Sequence, residues 1–436
     1  MKQIRIIIFV LVTGILLSSG FPVKAEPPKF PDAAASDPNS LGWMKGFPPA
    51  PDKTIRYADV SYYHFPQTRW SFSHWRELMP TSNVSRGYGP VSPLPEAKRE
   101  LDSIAFTDMT GKLLTWGKSL ELNYTDGILV LHKGKVVYER YFGALEPNRP
   151  HIAFSMTKSF VGTLASLLAT QGKIDPAALV TKYLPEMKGT AYEDATVRQV
   201  MDMTIGVKYS ENYADPKAEI WAFVTSGSAL TGCPGFKGPK TYYEFLKTLQ
   251  KEGNHGEAFA YKTVNAEILA WIVKRVSDKS LSDLLSDTIW SKIGAEGDAY
   301  FQVDTIGTEF GGGGLNTTLR DLARFGEMIR LNGFYNGKQV IPAKAIEDIY
   351  QGGDRNLFAK ANYVTLPGWS YRDMWWVSNN EHGAIMARGI HGQNIYVDPR
   401  AEMVIVRYAS NPMAPNPAND PVTLPAYMAV AKELMK

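Results

Sequence analysis

A chain of 436 residues, 44% of them hydrophobic and 21% charged, is long enough for a large core and has the composition of an ordinary globular protein. Its formal net charge is +3, but three basic residues lie in an N-terminal segment that we expect to be removed, which leaves 44 basic against 44 acidic residues. Because this balance gives no electrostatic basis for binding nucleic acid or an anionic surface, we expect neither as a partner. The single cysteine, Cys233, excludes a disulfide within the chain.

The N-terminus has the pattern of a secretory signal peptide. Lys2 and Arg5 stand at the start of an apolar run at residues 6–17, which is too short to span a bilayer comfortably. Residues 23–25 are Val-Lys-Ala, which fits the small-x-small rule for signal peptidase. We therefore expect residues 1–25 to be cleaved and the protein to be exported, either periplasmic or secreted, with no stable membrane insertion.

The rest of the chain divides into an arm and one domain. Residues 26–100 are rich in Pro, Asp, Ala and aromatic residues between turns, and we expect them to form an extended arm. Residues 101–436 are predicted to form the domain. Within it, two alternating segments separated by His-Lys-Gly predict a β-hairpin over residues 128–142, and an apolar run predicts a helix over residues 155–172.

The second half of the domain is predicted to be helical first and then stranded. Residues 175–310 have mainly helical spacing, with a clear helix over residues 261–276, whereas four short alternating segments follow from about residue 371. A final helix is expected over residues 422–435. We therefore predict an α+β fold, an α/β sandwich in which one antiparallel sheet is built from N- and C-terminal segments and flanked by helices. The mainly helical subdomain is inserted, and the cleft beside it is the expected site.

The tetrapeptide Ser155-Met-Thr-Lys158 begins the first of these helices. Positions i and i+3 of a helix lie on one face about 4.5 Å apart along the axis, so Lys158 can reach the hydroxyl of Ser155. A serine becomes a good nucleophile only when a base takes its proton, and a buried lysine can be neutral enough to act as that base. The alternative is that Ser155 only caps the helix and Lys158 is exposed, and the tetrapeptide alone leaves both open.

Two further segments follow this motif in the chain. Residues 259–265 place Tyr261 at the start of an apolar helix, and residues 389–399 frame a strand edge with glycines. Together with Ser155-x-x-Lys158, this order resembles the serine β-lactamase-like hydrolases, which include class C β-lactamases, DD-peptidases and related esterases. The resemblance covers roughly residues 65–435 and is greatest to the 6-aminohexanoate-dimer hydrolase type. It implies a β-lactamase/transpeptidase-like fold.

The resemblance also implies roles for individual residues. Ser155 is the nucleophile that becomes acylated, Lys158 helps to accept its proton, and Tyr261 stands where the family has a tyrosine base that relays protons. The backbone N–H groups of Ser155 and Ile390 form the oxyanion hole. Tyr213 matches a tyrosine that this subgroup places at the cleft, where it hydrogen-bonds the leaving amine. No metal and no organic cofactor are implied.

Two departures from the family pattern bear on the substrate. Class C enzymes usually have Tyr-x-Asn, whereas Thr263 holds the third position here. Penicillin-recognising enzymes have Lys/His-Thr/Ser-Gly on the third strand, whereas residues 387–389 are Ala-Arg-Gly. Arg388 does not replace the missing cation, because side chains alternate along a strand and Arg388 is expected to point to the other face. These departures favour less charged ester or amide substrates.

Trp375, Trp376 and His391 are further candidates for contact with the substrate. Adjacent tryptophans in a strand point to opposite faces, so we expect one ring in the core and one in an apolar wall of the cleft. His391 is expected mainly to pack beside the oxyanion strand. The seven histidines show no close ligand spacing, which predicts no metal site.

The sequence therefore predicts an exported serine hydrolase that cleaves carboxylic esters or small linear amides through an acyl-enzyme on Ser155. Two alternatives stay open at this point. One is a penicillin-binding DD-peptidase or β-lactamase, and the other is a catalytically idle relative that binds cell-wall fragments. The pattern does not determine the oligomeric state.

Overall fold

The structure is a computed structural model and describes residues 30–436, so the predicted signal peptide at residues 1–25 lies outside the described residues. The strands of the described residues are β1 Thr81–Val84, β2 Ala105–Thr107, β3 Leu113–Thr115, β4 Thr125–His132, β5 Lys135–Tyr141, β6 His151–Ile152, β7 Ala299–Gln302, β8 Leu315–Thr317, β9 Phe334–Tyr335, β10 Lys338–Gln339, β11 Ser370–Arg372, β12 Trp375–Val377, β13 Ile385–Gly389, β14 Gln393–Asp398 and β15 Met403–Ala409. The α-helices are α1 Pro38–Leu41, α2 Thr68–Ser71, α3 Trp116–Leu122, α4 Met156–Thr170, α5 Val180–Tyr183, α6 Val197–Met201, α7 Glu219–Ser226, α8 Tyr242–Leu246, α9 Thr263–Ser277, α10 Leu281–Leu285, α11 Leu319–Arg330, α12 Ala343–Gln351, α13 Arg355–Ala359 and α14 Asp420–Leu434.

The main sheet has seven strands in the order β11-β12-β13-β14-β15-β4-β5, and every neighbouring pair is antiparallel. The predicted hairpin forms β4 and β5, and its turn residues Lys133 and Gly134 both have the positive φ that a tight two-residue hairpin turn requires. The four strands predicted near the C-terminus form β12 to β15. The sheet is therefore built from both ends of the domain, as predicted.

Helices cover both faces of this sheet. On one face, Gly326 of α11 packs so closely that an added Cβ would lie 2.6 Å from Val404 and 3.2 Å from Ile395. On the other face, the ring of Tyr427 in α14 lies 5.4 Å from that of Tyr396. Because Ile395 and Tyr396 are adjacent in β14 and point in opposite directions, this arrangement confirms the predicted α/β sandwich.

The segment between the two halves of the sheet contains helices α5 to α10, consistent with a mainly helical insert. Residues 30–100 contain short helices and β1, which pairs with β7 in a second sheet of order β1-β7-β8-β6. Phe72 and Trp75 from this segment pack with Phe154 in a separate apolar cluster next to α4. The domain boundaries themselves stay a prediction.

Helix α4 is the central helix of the domain, and nearly all its side chains are buried. It packs directly against the turn between β11 and β12, because a Cβ at Gly162 would lie only 2.0 Å from the carbonyl oxygen of Asp373. Asp373 and Met374 both have positive φ, and the turn that they form separates β11 from β12, which begins at Trp375. The contact fixes the helix that begins beside Ser155.

Substitution of Gly162 by alanine should therefore destabilise the protein. The added methyl group clashes with backbone that cannot rotate away, and overpacking of this kind costs about 3 kcal/mol. Gly232 is a matched control, since a Cβ there has no atom within 4 Å. Urea unfolding followed by circular dichroism should show a lower free energy of unfolding for Gly162→Ala and a near-unchanged one for Gly232→Ala. Equal stability of the two variants would contradict the close packing.

Candidate active site

Ser155 immediately precedes helix α4 and is available for chemistry. Its φ of −66° and ψ of −6° are already helical, and its side chain makes no capping hydrogen bond. The hydroxyl instead accepts a hydrogen bond of 2.8 Å from Nζ of Lys158. Lys158 is only 1% exposed. The alternative of a simple helix cap followed by an exposed lysine is therefore ruled out by the geometry.

Burial makes Lys158 a suitable base. It lowers the pKa of the Lys158 ammonium from its usual value to about 8, whereas the negative charges of Glu211 and Glu267 act in the opposite direction. Besides the bond to Ser155, Nζ donates a 2.6 Å hydrogen bond to the carbonyl oxygen of Gly312. A lysine with a pKa near 8 is neutral in a large fraction of molecules at slightly alkaline pH and can then accept a proton from Ser155.

Tyr261 also lies close to Ser155 and Lys158. It sits just ahead of α9, and the centre of its ring is 5.1 Å from Nζ of Lys158. Burial raises the pKa of the Tyr261 phenol well above its usual value and Glu211 adds to this effect, while the interaction with Ser155 opposes it. The phenol is therefore neutral in the free enzyme. It is suited to relay a proton, and Lys158 is the stronger candidate for the initial base.

The end of strand β13 lies against the residues that lead into α4. A Cβ at Gly389 would lie 2.6 Å from the carbonyl oxygen of Ala153, so only glycine permits this approach. Ile390 follows Gly389 and packs on the cluster that contains Phe154. Within the described residues, no backbone carbonyl accepts the N–H of Ser155 or of Ile390. The arrangement is consistent with the oxyanion hole that the family resemblance implies, although the two roles stay predictions.

Tyr213 lies at the same cleft, held by a carboxylate that the sequence did not single out. Its hydroxyl donates a 2.8 Å hydrogen bond to Oε1 of Glu211. Glu211 also accepts the backbone N–H of Thr263 at 2.6 Å and the Thr263 hydroxyl at 2.7 Å, and so caps the first turn of α9. Thr263, which departs from the Tyr-x-Asn pattern, is thus part of a network that fixes Tyr213.

The two tryptophans have different environments. Trp376 contacts Tyr261 with ring centres 5.3 Å apart, so it belongs to the aromatic wall of the site. Trp375 is fully buried, and its indole N–H donates to the Thr163 hydroxyl at 3.2 Å within the core. The prediction that Trp375 binds substrate is therefore wrong. As strand alternation predicted, one of the two rings is in the core and the other faces the site, and the structure shows that the core ring is Trp375.

His391 packs next to the oxyanion strand rather than in open contact with the cleft. Its Nδ1 lies 2.7 Å from the carbonyl oxygen of Asn411, and its Nε2 lies 3.3 Å from the hydroxyl of Tyr63. Burial lowers the pKa of His391 to about 4, so the ring is neutral at physiological pH. These contacts match the expected packing role, and a direct contact of His391 with substrate stays a prediction.

Arg388 is engaged away from the nucleophile. Its guanidinium pairs with the buried carboxylate of Asp420 at the start of α14 and lies 5.0 Å from the centre of the Trp376 ring. Asp420 in turn accepts a 2.7 Å hydrogen bond from Thr365. Arg388 points away from the face of Ala387, as strand alternation predicts, but it shares its own face with Trp376. It is paired with Asp420, and its positive charge still opposes the rise in the pKa of Tyr261.

Two carboxylates of the site were missed by the sequence reasoning. Glu211 lies two residues before Tyr213, in a segment that was noted only as part of the resemblance. Glu267 lies in the fully buried part of α9, where a charged residue among Ala266 and Ile268 was a signal that could have been followed. Their roles depend on contacts with distant segments, which spacing does not show.

Residues 30–436 were also searched for metal-ligating clusters and for helices that could span a membrane. In the part of the chain that the structure covers, no three His, Cys, Asp or Glu side chains come together as they would to hold a metal ion. No helix within residues 30–436 has the length and apolar character needed to cross a membrane.

Comparison with known proteins gives consistent matches. The Beta-lactamase family matches residues 125–424. The chain is 36% identical over 388 residues to the 6-aminohexanoate-dimer hydrolase of Paenarthrobacter ureafaciens, which covers 89% of this chain and 92% of the relative. A solved Bacillus anthracis structure, provisionally named a 6-aminohexanoate-dimer hydrolase, has a TM-score of 0.78 and 33% identity and covers 86% of this chain and 96% of its own. The D-stereospecific amidohydrolase of a Streptomyces species shares the fold alone, with a TM-score of 0.54, 15% identity and coverage of 70% of this chain and 96% of its own.

The protein belongs to the Beta-lactamase family, and the fold and family predicted from the sequence are confirmed. Within that family it is a serine hydrolase that is similar over most of its length to the 6-aminohexanoate-dimer hydrolases.

The lowered pKa of Lys158 predicts the pH dependence of activity. Below a pKa of about 8 the amine is protonated and cannot accept the Ser155 proton, whereas above it the amine is neutral. We therefore expect kcat/KM for an uncharged p-nitrophenyl ester to rise with pH through an apparent pKa of about 8. An acidic limb centred below pH 6 would contradict the assignment of Lys158 as the base.

Proposed function

We propose that this protein is an exported hydrolase that cleaves small linear amides and carboxylic esters through an acyl-enzyme on Ser155. The observation that supports it best is the 2.8 Å hydrogen bond from the buried amine of Lys158 to Oγ of Ser155. Identity to a relative named 6-aminohexanoate-dimer hydrolase favours an amide as one substrate. Export is supported by the signal pattern at residues 1–25.

The reaction proceeds in two halves. Oγ of Ser155 attacks the carbonyl carbon while its proton passes to Nζ of Lys158, and the carbonyl oxygen becomes an oxyanion facing the N–H groups of Ser155 and Ile390. Collapse of this intermediate breaks the C–N or C–O bond, and the leaving amine or alcohol takes a proton through Tyr261. Water then attacks the acyl-enzyme, and its proton returns by the same path, so that the carboxylic acid and free Ser155 are released.

The walls of the cleft favour an apolar, weakly charged substrate. Half-buried aromatic rings extend from Tyr213, since the centre of the Trp221 ring lies 5.9 Å from that of Tyr213 and 6.4 Å from that of Tyr63. Trp376 contributes the wall on the side of Tyr261. Such rings pack well against a short methylene chain. Because Arg388 is already paired with Asp420, it offers no free cation for a β-lactam carboxylate.

Covalent labelling tests the nucleophile. Exposure of the protein, expressed with its full N-terminus, to a fluorophosphonate should give one adduct on Ser155, whereas benzylpenicillin should give none. Intact-mass spectrometry reads both results, and the same mass shows whether the mature chain begins at Glu26. Ser155→Ala should lose the adduct and at least about 10³-fold in kcat with the fold retained, whereas Ser159→Ala is a control on the same helix. Full activity of Ser155→Ala would contradict the proposal. A penicillin adduct would instead indicate a cell-wall peptidase.

Tyr213 should distinguish amides from esters. Because its proton is donated to Glu211, its oxygen presents only lone pairs and can accept a hydrogen bond from an amide N–H, which an ester lacks. Tyr213→Phe should therefore lower kcat/KM for a linear amide by about tenfold and leave ester hydrolysis within about twofold. Tyr209→Phe is the control, since the buried Tyr209 hydroxyl has no hydrogen-bond partner among the described residues. Equal losses for both substrates would show that Tyr213 does not contact the leaving group.

A further inference from the structure

Glu267 is a buried carboxylate that the reaction scheme leaves unused. It lies in α9 and is 3% exposed, and among the described residues no Lys, Arg or His nitrogen comes within 4 Å of it. Burying a carboxyl group without an ion-pair partner is costly unless strong hydrogen bonds offset the loss of water. The burial of Glu267 therefore has to be offset by specific hydrogen bonds.

The hydrogen bonds of Glu267 go to the loop that contacts the catalytic lysine. Its carboxylate accepts the backbone N–H of Gly312 and also interacts with the backbone N–H of Gly311. The loop is pressed against α9, because a Cβ at Gly311 would lie 2.6 Å from Ala270 and one at Gly312 would lie 2.5 Å from Thr263. The absence of a side chain at Gly311 and Gly312 therefore permits this close contact between the loop and α9.

Gly312 links Glu267 to the nucleophile. Its N–H is held by Glu267, while its carbonyl oxygen accepts the 2.6 Å hydrogen bond from Nζ of Lys158. Lys158 in turn donates to Ser155 at 2.8 Å. A continuous path of hydrogen bonds therefore runs from the buried carboxylate through one backbone residue to the reactive hydroxyl.

The charges of Glu267 and Lys158 also affect each other's pKa. Burial raises the pKa of Glu267 to about 7, and the positive charge of Lys158 opposes this rise. Conversely, the negative charge of Glu267 opposes the fall in the pKa of Lys158. Each group therefore favours the charged form of the other.

Other titratable groups face this pair. Lys274 on α9 also favours the charged form of Glu267, but it is held 3.3 Å from Glu309. Tyr209 and Tyr242 have pKa values raised in part by Glu267 and stay neutral. Glu211 also acts on the charge of Lys158, and the neutral phenol of Tyr261 lies close to Lys158. None of these groups contacts the carbonyl oxygen of Gly312 in the described part of the chain.

We propose that Glu267 is a positioning residue for the serine hydrolase reaction: through Gly311 and Gly312 it holds the carbonyl group that aligns Lys158 with Ser155, and its negative charge strengthens Lys158 as a base. The inference rests on the proposed function, because it requires Lys158 to take the Ser155 proton. Glu267 itself touches neither substrate nor Ser155.

The variant Glu267→Gln separates the two parts of this role. The glutamine carbonyl can still accept the N–H of Gly312, but its charge is gone, so Lys158 should lose its proton at lower pH. We expect the acidic limb of kcat/KM for a p-nitrophenyl ester to move down by about one pH unit, with a plateau about fivefold lower because the base is weaker and with KM within about twofold. A purely structural role would leave the limb in place.

Glu327→Gln is the matched control. Glu327 is also 3% exposed, but it lies in α11, pairs with Arg330 at 2.6 Å and contacts none of the groups in the path from Glu267 to Ser155. Its substitution should leave the acidic limb where the unmodified protein has it. An unshifted limb in Glu267→Gln, or an equal shift in Glu327→Gln, would overturn the proposal.

Glu267→Ala tests the positioning part. Without an acceptor for Gly312, kcat should fall about 100-fold at every pH, and Glu267→Gln should recover at least tenfold of that loss. Fluorophosphonate labelling of Ser155 in the unmodified protein distinguishes failure of the proposed function from failure of the proposed role of Glu267. If the unmodified protein is not labelled, the proposed function fails; if it is labelled and Glu267→Gln behaves like it in rate and pH profile, only the role of Glu267 fails.

Discussion

The buried amine of Lys158 is the constraint on which the site depends. Removing a lysine from water lowers its pKa, which makes it a base, but an amine that is too easily deprotonated would be too weak to take a proton from a serine hydroxyl. The structure balances these demands with a hydrogen bond to Gly312 and with the negative charges of Glu211 and Glu267. The helical geometry of α4 is sufficient to bring Ser155 and Lys158 together.

Three features of the same cleft bear on the proposed substrate. Arg388 is paired with Asp420 beneath Trp376, so the cation that would face a β-lactam carboxylate is absent from this edge of the strand. Thr263 holds the carboxylate of Glu211, which in turn accepts the O–H of Tyr213. The remaining wall is aromatic. These features together favour an uncharged linear amide or ester rather than a bicyclic anion.

Several features of the fold and the site were predictable because they are local. The hairpin of β4 and β5 depends on alternation and a two-residue turn, and the pairing of Ser155 with Lys158 depends on helical spacing. Other features were not. Strand alternation predicted that one of Trp375 and Trp376 lies in the core, but it did not predict which of the two. That choice depends on which face of the sheet α4 covers.

The sequence by itself determined the family and the α/β sandwich and predicted Ser155 and Lys158 as the catalytic pair, since motif order and short-range periodicity contain that information. Only the tertiary structure decided the neutral state of the Tyr261 phenol, the hydrogen bond from Tyr213 to Glu211 and the contact of Glu267 with Gly312. The physical reason is that each of these depends on burial or on a contact across the chain. Gly312, which joins Lys158 to Glu267, is 154 residues from Lys158 in the sequence, and no local pattern links the two.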